Sequence, residues 1–303
     1  MPLESTLAKP AEEARPANDL RTLEAGLDAL QTVAPTKRRG WRRFVNGVLP
    51  PVVLLVLLVA AWQLFIVIAH PRPDLFPSPL AVANAFGAAW DTGRVQLAVA
   101  TSLERGGIGF LIAIAIGTPI GLLLAEVRLV RRALGPLVSG LQVLPSVAWV
   151  PAAILWFGLT DATAYFVVLM GAVPSIANGL VSGIDQVPPQ LRRVGLVLGA
   201  SRVQMATLVV LPAALPGYFA GLKQGWAFSW RSLMAAEIIT TGGTIGFGLG
   251  TMLAQSRELA DLAGVLTTIL VILFIGILVE VVVFAPIERR LLHGRGLVGA
   301  GSR

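Results

Sequence analysis

Six apolar segments of about 20 residues each constrain this chain more than any other feature. They lie at about 48–69, 106–125, 133–157, 164–184, 206–230 and 262–285. The hydrocarbon core of a bilayer is about 30 Å thick, which about 20 residues of α-helix cross. Lipid offers no partner to a free N–H or C=O, so a repeatedly spanning apolar chain of this kind satisfies its backbone as helices. The expected fold is therefore an all-α membrane protein with about six transmembrane helices. Composition agrees: 55% of the 303 residues are hydrophobic and 14% are charged, where soluble domains carry about 25% charged residues.

The third and fifth segments contain Pro145, Pro151, Pro212 and Pro216. Proline removes a helical N–H and clashes with the preceding turn, so both segments are expected to be kinked or broken. A weaker apolar stretch at 232–245 reads as a buried or re-entrant continuation of the fifth. The chain has no cysteine, and its two histidines, His70 and His293, fall at the edges of apolar segments. Thiolate metal sites, disulfides and a histidine-based intramembrane centre are excluded on that basis.

The net charge of +7 would suit nucleic acid if the basic residues were clustered on a soluble face. They instead flank the apolar segments. With the N-terminus inside, the cytoplasm receives Lys37, Arg38, Arg39, Arg42, Arg43, Arg128, Arg131, Arg132, Arg192, Arg193, Arg202, Arg289, Arg290, Arg295 and Arg303. The outside receives Arg72, Arg94, Arg105 and Arg257. The positive-inside rule then puts both termini in the cytoplasm, and the basic residues meet anionic lipid rather than nucleic acid. Residues 1–43 have no apolar signal-peptide core and read as a cytoplasmic extension, partly disordered. Leu20, Leu23, Leu27 and Leu30 follow Asn18-Asp19 at helical spacing, which suits a short amphipathic helix. Residues 44–290 form the membrane domain and 291–303 a cytoplasmic tail.

The stretch at 185–204 is the largest cytoplasmic connection between spans. Pro188-Pro189 can start a helix, and Leu191, Val194 and Leu198 then share one face. Gly199 breaks that helix, and Ser201 with Gln204 fits a capping box that opens a second helix running into the membrane. A helix, a glycine turn and a helix, with arginines beside an apolar stripe, make a hairpin suited to a groove on another protein.

This hairpin resembles the EAA loop of ABC importer permeases, with its glycine at Gly199 in "LGASR" and its Leu-Pro at Leu211-Pro212. Further motifs match the nitrate/sulfonate/bicarbonate branch of that family: "LFPSP" at 75–79, "TSLERGGIGF" at 101–110, "IGTPIGLLLA" at 116–125 and "LPSVAWVPAAILWFGLT" at 144–160. "VPSIANGL" at 173–180 and "WRSLMAAEIITTGGTIGFG" at 230–248 continue the series, and the likeness covers about 48–290. The chain departs from the pattern at the acidic and small positions, which read Arg193, Val194 and Gly195. The resemblance implies a type I importer permease fold in a bacterial inner membrane and a homodimer of this chain. It also implies two ABC ATPase subunits and a periplasmic or lipid-anchored binding protein as partners. Arg193, Gly195, Leu198, Gly199, Ala200, Ser201 and Arg202 would then form the coupling element, docked on an ATPase adapted to Arg193. ATP and Mg²⁺ would be held by those partners; this chain has no Gly-Lys dipeptide and hence no phosphate-binding P-loop.

Charge inside a membrane is costly and points to function. Lys223, Arg231 and Glu237 lie on or just after the fifth segment. Lys223 and Arg231 are eight residues apart, within about 80° on a helix. With Trp226 they are candidates for a substrate path, and in a two-fold dimer the cations would favour an oxyanion, an aliphatic sulfonate first, then taurine, nitrate or bicarbonate. Arg231 against Glu237, or against lipid phosphate, is the competing structural arrangement. The tryptophans 149, 156, 226 and 230 read mostly as interfacial anchors, and Gln142 and Asn178 as a helix-to-helix hydrogen bond. The glycines of 241–250 suit an outward loop or gate. An intramembrane enzyme lacks a nucleophile with a base, and an ATP-independent carrier or channel would have no use for the hairpin.

Overall fold

The structure is a computed structural model that describes residues 40–293 apart from Thr244, with side chains described for 49–291. The expected helix at 20–30 and the two ends of the chain lie outside the described residues. Of the described residues, those up to Leu54 belong to one unit and those from Leu55 to a second, which holds every element after the first helix. Ten helices are described. They are α1 (Gly40–Ala69), α2 (Pro79–Asp91), α3 (Arg94–Glu126), α4 (Arg128–Val143), α5 (Val150–Phe157), α6 (Asp161–Asp185), α7 (Pro189–Val197), α8 (Arg202–Ile239), α9 (Leu249–Glu258) and α10 (Leu262–Leu291).

Five of these are long and apolar enough to span a membrane; the α4/α5 pair, bent by 98°, is either a broken sixth span or a re-entrant loop. The bend falls at Leu144-Pro145, followed by a 3₁₀ turn at Ser146–Trp149. The third segment is thus broken as expected. The fifth is not: α8 runs unbroken through Pro212 and Pro216. A π-helical turn at Met205–Val210 ends just before Pro212, and its wider coil accommodates the missing N–H and the proline ring. The stretch at 232–245 continues α8 to Ile239 and then leaves the helix, rather than forming a segment of its own.

The second segment also differs from expectation. Its helix starts at Arg94 rather than near 106, so Arg105 lies well inside α3 and is only 5% exposed. Trp226 and Trp230 stack with ring centroids 6.1 Å apart beside Phe110 and Phe284. Trp230 is buried in the core, so this pair packs helices together instead of anchoring at an interface.

Helix α6 sits at the centre, half of its apolar window buried between α3 and α8. Small residues allow this. Gly179 and Gly183 of α6 face Gly221 and Gly217 of α8, and Gly117 and Gly121 of α3 face Ile176 and Ala177 of α6. A methyl group added at Gly221 would stand 2.6 Å from the Gly179 Cα, and one at Gly217 would stand 2.5 Å from the Gly183 Cα. Each pair is spaced Gly-x-x-x-Gly, which lets backbones touch where lipid provides no hydrophobic drive between helices. Gly221→Ala is expected to lower stability by about 1–3 kcal/mol through overpacking. Gly107→Ala, where nothing lies within 4 Å, is expected to raise it by about 0.5–1 kcal/mol. Thermal unfolding of the two variants in detergent checks the difference in sign.

Candidate functional site

The hairpin forms as its sequence dictates. Pro189 takes the first helical position of α7, where a missing N–H costs nothing. Gly199 adopts φ of 75°, the left-handed conformation that ends a helix, and Ala200 N donates to Gly195 O at 3.0 Å. Ser201 N donates to Gln204 Oε1 at 2.9 Å and Gln204 N donates to Ser201 Oγ at 3.3 Å, completing the capping box at the start of α8. Gly195 is buried because the Met205 side chain packs on it; a Cβ there would meet Met205 Cε at 2.7 Å. Outward stand Leu196, Val197, Leu198 and Val203, each at least two-thirds exposed. Arg193 and Arg202 are exposed beside them and form no ion pair among the described residues. Arg131 of α4 holds both carboxylate oxygens of Asp185, at the root of the hairpin, in a two-pronged pair.

The four residues expected along a substrate path are not brought together. Lys223 lies between Glu280 at 2.5 Å and Glu288 at 3.3 Å, so its charge is matched within the chain and ties α8 to α10. Trp226 belongs to the aromatic core. Glu237 is fully buried and lies far from any pairing with Arg231; its partner is Arg105, whose Nη1 donates to Glu237 Oε1 at 3.1 Å. Arg105 Nε also donates to Asp161 Oδ1 at 2.7 Å, and Nη1 reaches Gly246 O at 3.3 Å. Ser102 Oγ stands 3.0 and 2.8 Å from the two Glu237 oxygens and accepts from Leu249 N at 2.8 Å. Gly250 N donates to Glu237 Oε2 at 2.9 Å.

Glu237 therefore caps the start of α9 from a different helix, where an anion suits the free N–H groups and the helix dipole. Two glycines of the 241–250 run, Gly248 and Gly250, lie against this carboxylate. A Cβ at Gly250 would stand 2.5 Å from the Glu237 Cβ, and one at Gly248 would stand 2.5 Å from Glu237 Cδ. Arg105, Ser102 and Asp161 were absent from the sequence-derived candidates. Their signal was a serine and an arginine three residues apart on one helical face of "SLERGG", with a lone acid in the distant "AAEII".

Arg231 is exposed, lies over the Phe228 ring at 4.7 Å and donates only to Ala227 O, at 3.4 Å. It lines a cavity of about 350 Å³ with Gln142, Pro145, Ser146, Gly171 and Phe228. Ser146 Oγ and Ser232 Oγ are 2.6 Å apart at its wall. Asn178 Nδ2 donates to Gln142 Oε1 at 2.8 Å, the interhelical bond expected from the sequence.

Spans clasped by glycine seams, a bent helix pair, and an exposed hairpin between α6 and α8 define a multi-pass membrane protein. Residues 117–291 match the family described as binding-protein-dependent transport system inner membrane component. Among curated relatives, the bicarbonate transport system permease protein CmpB of Synechococcus elongatus is 30% identical, covering 71% of this chain and 80% of that protein. The taurine transport system permease protein TauC of Escherichia coli is 31% identical, over 80% of this chain and 89% of its own. The putative aliphatic sulfonates transport permease protein SsuC of Bacillus subtilis is 27% identical, over 88% and 93%. The fold is also that of the inward-facing MetNI methionine ABC transporter structure, at TM-score 0.54 and 20% identity over 64% of this chain and 94% of that one. The chain belongs to this family, the inner-membrane permeases of ABC importers, in its nitrate/sulfonate/bicarbonate branch. ATP is hydrolysed in this family by partner ATPase subunits, which work with the permease and a binding protein.

Removing Arg105 leaves Glu237 as an unmatched buried charge, which costs about 3–5 kcal/mol. Arg105→Gln is expected to fall in that range, Glu237→Gln to cost less because Asp161 still pairs with Arg105, and the double variant to lose less than their sum. A double-mutant cycle on thermal unfolding reads the coupling directly.

Proposed function

We propose that two copies of this chain form the membrane path of an importer for a small oxyanion, an aliphatic sulfonate first, with both termini in the cytoplasm. The ATPases dock on the 185–204 hairpin, and ATP and Mg²⁺ stay with them. The observation that carries the anion reading is the cavity at Arg231. Its guanidinium is exposed and unmatched by any carboxylate among the described residues, and no acidic residue lines the cavity. An arginine fork holds two oxygens of a sulfonate, nitrate or carboxylate-like anion at once, which a lysine ammonium does not. The named substrates of CmpB, TauC and SsuC, all small anions or zwitterions bearing an oxyanion, support the same class. The apolar and basic exterior of the hairpin supports the docking role, since exposed Leu196, Val197 and Leu198 beside Arg193 match an interface rather than a free surface.

The test is reconstitution in nanodiscs with the ATPase and binding protein, measuring ATP hydrolysis with the binding protein loaded with an aliphatic sulfonate, taurine, nitrate or bicarbonate. Stimulation by the sulfonate-loaded form is the expected outcome, and stimulation by another of the four names that anion instead. Arg231→Ala is expected to abolish uptake while the ATPase still copurifies; unchanged uptake rejects the role of Arg231.

A further inference from the structure

A second cavity, of about 500 Å³, lies along α6 and α8. Ser175, Asn178, Ser182 and Gln186 of α6 line it at spacings of three, four and four, one continuous helical face. Gln224 of α8 lies opposite, and no charged residue is present in the lining. The Ser175 hydroxyl is buried, the residue being 1% exposed, and has no hydrogen-bond partner. Gln186 Nε2 donates to Ser182 Oγ at 2.9 Å, leaving the Ser182 hydroxyl proton free to donate. The closely packed glycines 179, 217 and 221 keep any larger side chain from filling the space.

Such a face is poorly suited to lipid, because hydrocarbon leaves hydroxyls and amides unsatisfied. It is also joined to the arginine cavity. Asn178 lines the neutral cavity and bonds to Gln142, which lines the one at Arg231. The amide pair sits between the two, with N–H donors left over on both residues.

We propose that this groove is a second, charge-neutral station on the substrate path, which takes the oxyanion from Arg231 through hydroxyl and amide donors. The inference rests on the anion-permease reading above. Its physical logic is that passage requires binding strong enough to admit a ligand and weak enough to release it. A guanidinium captures an oxyanion well and releases it slowly. A run of neutral donors with no carboxylate to repel the anion and no cation to trap it lets the ligand move on. Ser182 is the most accessible member, and the buried Ser175 hydroxyl behind it has no hydrogen-bond partner among the described residues.

The chain contains no cysteine, so single cysteines can be introduced without removing others. Ser182→Cys is placed in the complete complex in proteoliposomes and treated with 2-sulfonatoethyl methanethiosulfonate, a permanently anionic thiol reagent that is itself an alkyl sulfonate. Its reaction is expected to be at least tenfold faster than that of Leu273→Cys, an exposed mid-span leucine of α10, and to slow several-fold with the transported anion present. Equal rates at the two positions, or no protection by that anion, overturn the station. A spontaneous disulfide joining two copies at Ser182→Cys makes the groove a seam between copies and overturns it as well. Ser175→Ala supplies a second readout. It removes no hydrogen bond seen among the described residues, so its melting temperature is expected to stay unchanged while the maximal uptake rate falls several-fold; unchanged uptake counts against the station. If the unmodified complex imports none of the four anions, the anion reading itself fails and takes the station with it.

Discussion

The end of this structure where α8 meets α9 depends on one buried ion pair. Arg105 and Glu237 stand 3.1 Å apart, 132 residues distant in sequence and shielded from solvent, where an unmatched charge is far more costly than in water. The pair is stable because the rest of each group's bonding capacity is also met. Glu237 accepts from Ser102 and from the start of α9, while Arg105 reaches Asp161 and the carbonyl of Gly246. Four helices, α3, α6, α8 and α9, and the carbonyl of Gly246 therefore share one set of hydrogen bonds. Gly248 and Gly250 follow from it, because a carboxylate held against backbone N–H groups leaves no room for a Cβ.

The seam between α6 and α8 depends on a different constraint, the approach of bare backbones. Where Gly179 and Gly183 meet Gly221 and Gly217, α6 and α8 come closer than side chains permit. The same closeness leaves the polar residues of α6 uncovered on their one open face. Packing and polarity are thus two aspects of a single arrangement: the residues that let the helices touch also keep Asn178 and Ser182 accessible, with Ser175 buried behind them.

Local features were legible in the sequence and distant ones were not. The Ser201–Gln204 box and the turn at Gly199 depend on residues within five positions of each other, and both stand where the sequence put them. Span number and the break at Pro145 were readable from apolar length and proline. Arg105 was misplaced to an outer loop because apolar windows end at a charge, and only a partner on another helix makes its burial tolerable. Glu237 was noticed, yet its partner was sought on its own helix, at Arg231. Proline alone misjudged α8, since the π turn that relieves Pro212 has no signature in composition. The three Gly-x-x-x-Gly pairs were in plain view at 117–121, 179–183 and 217–221, and would have identified α6 as the centre.

Helix α8 begins at the Ser201 cap of the exposed hairpin and ends beside the buried carboxylate of Glu237, a single rod of 38 residues, or about 57 Å at 1.5 Å per residue. Arg231 and the lining residue Gln224 ride on the same rod. It has no joint between them; its one irregular turn, Met205–Val210, lies close to the hairpin end. One continuous helix thus joins the exposed hairpin to the end that the carboxylate held by Arg105 and the buried side chains of Leu233, Met234 and Ala236 fix in place.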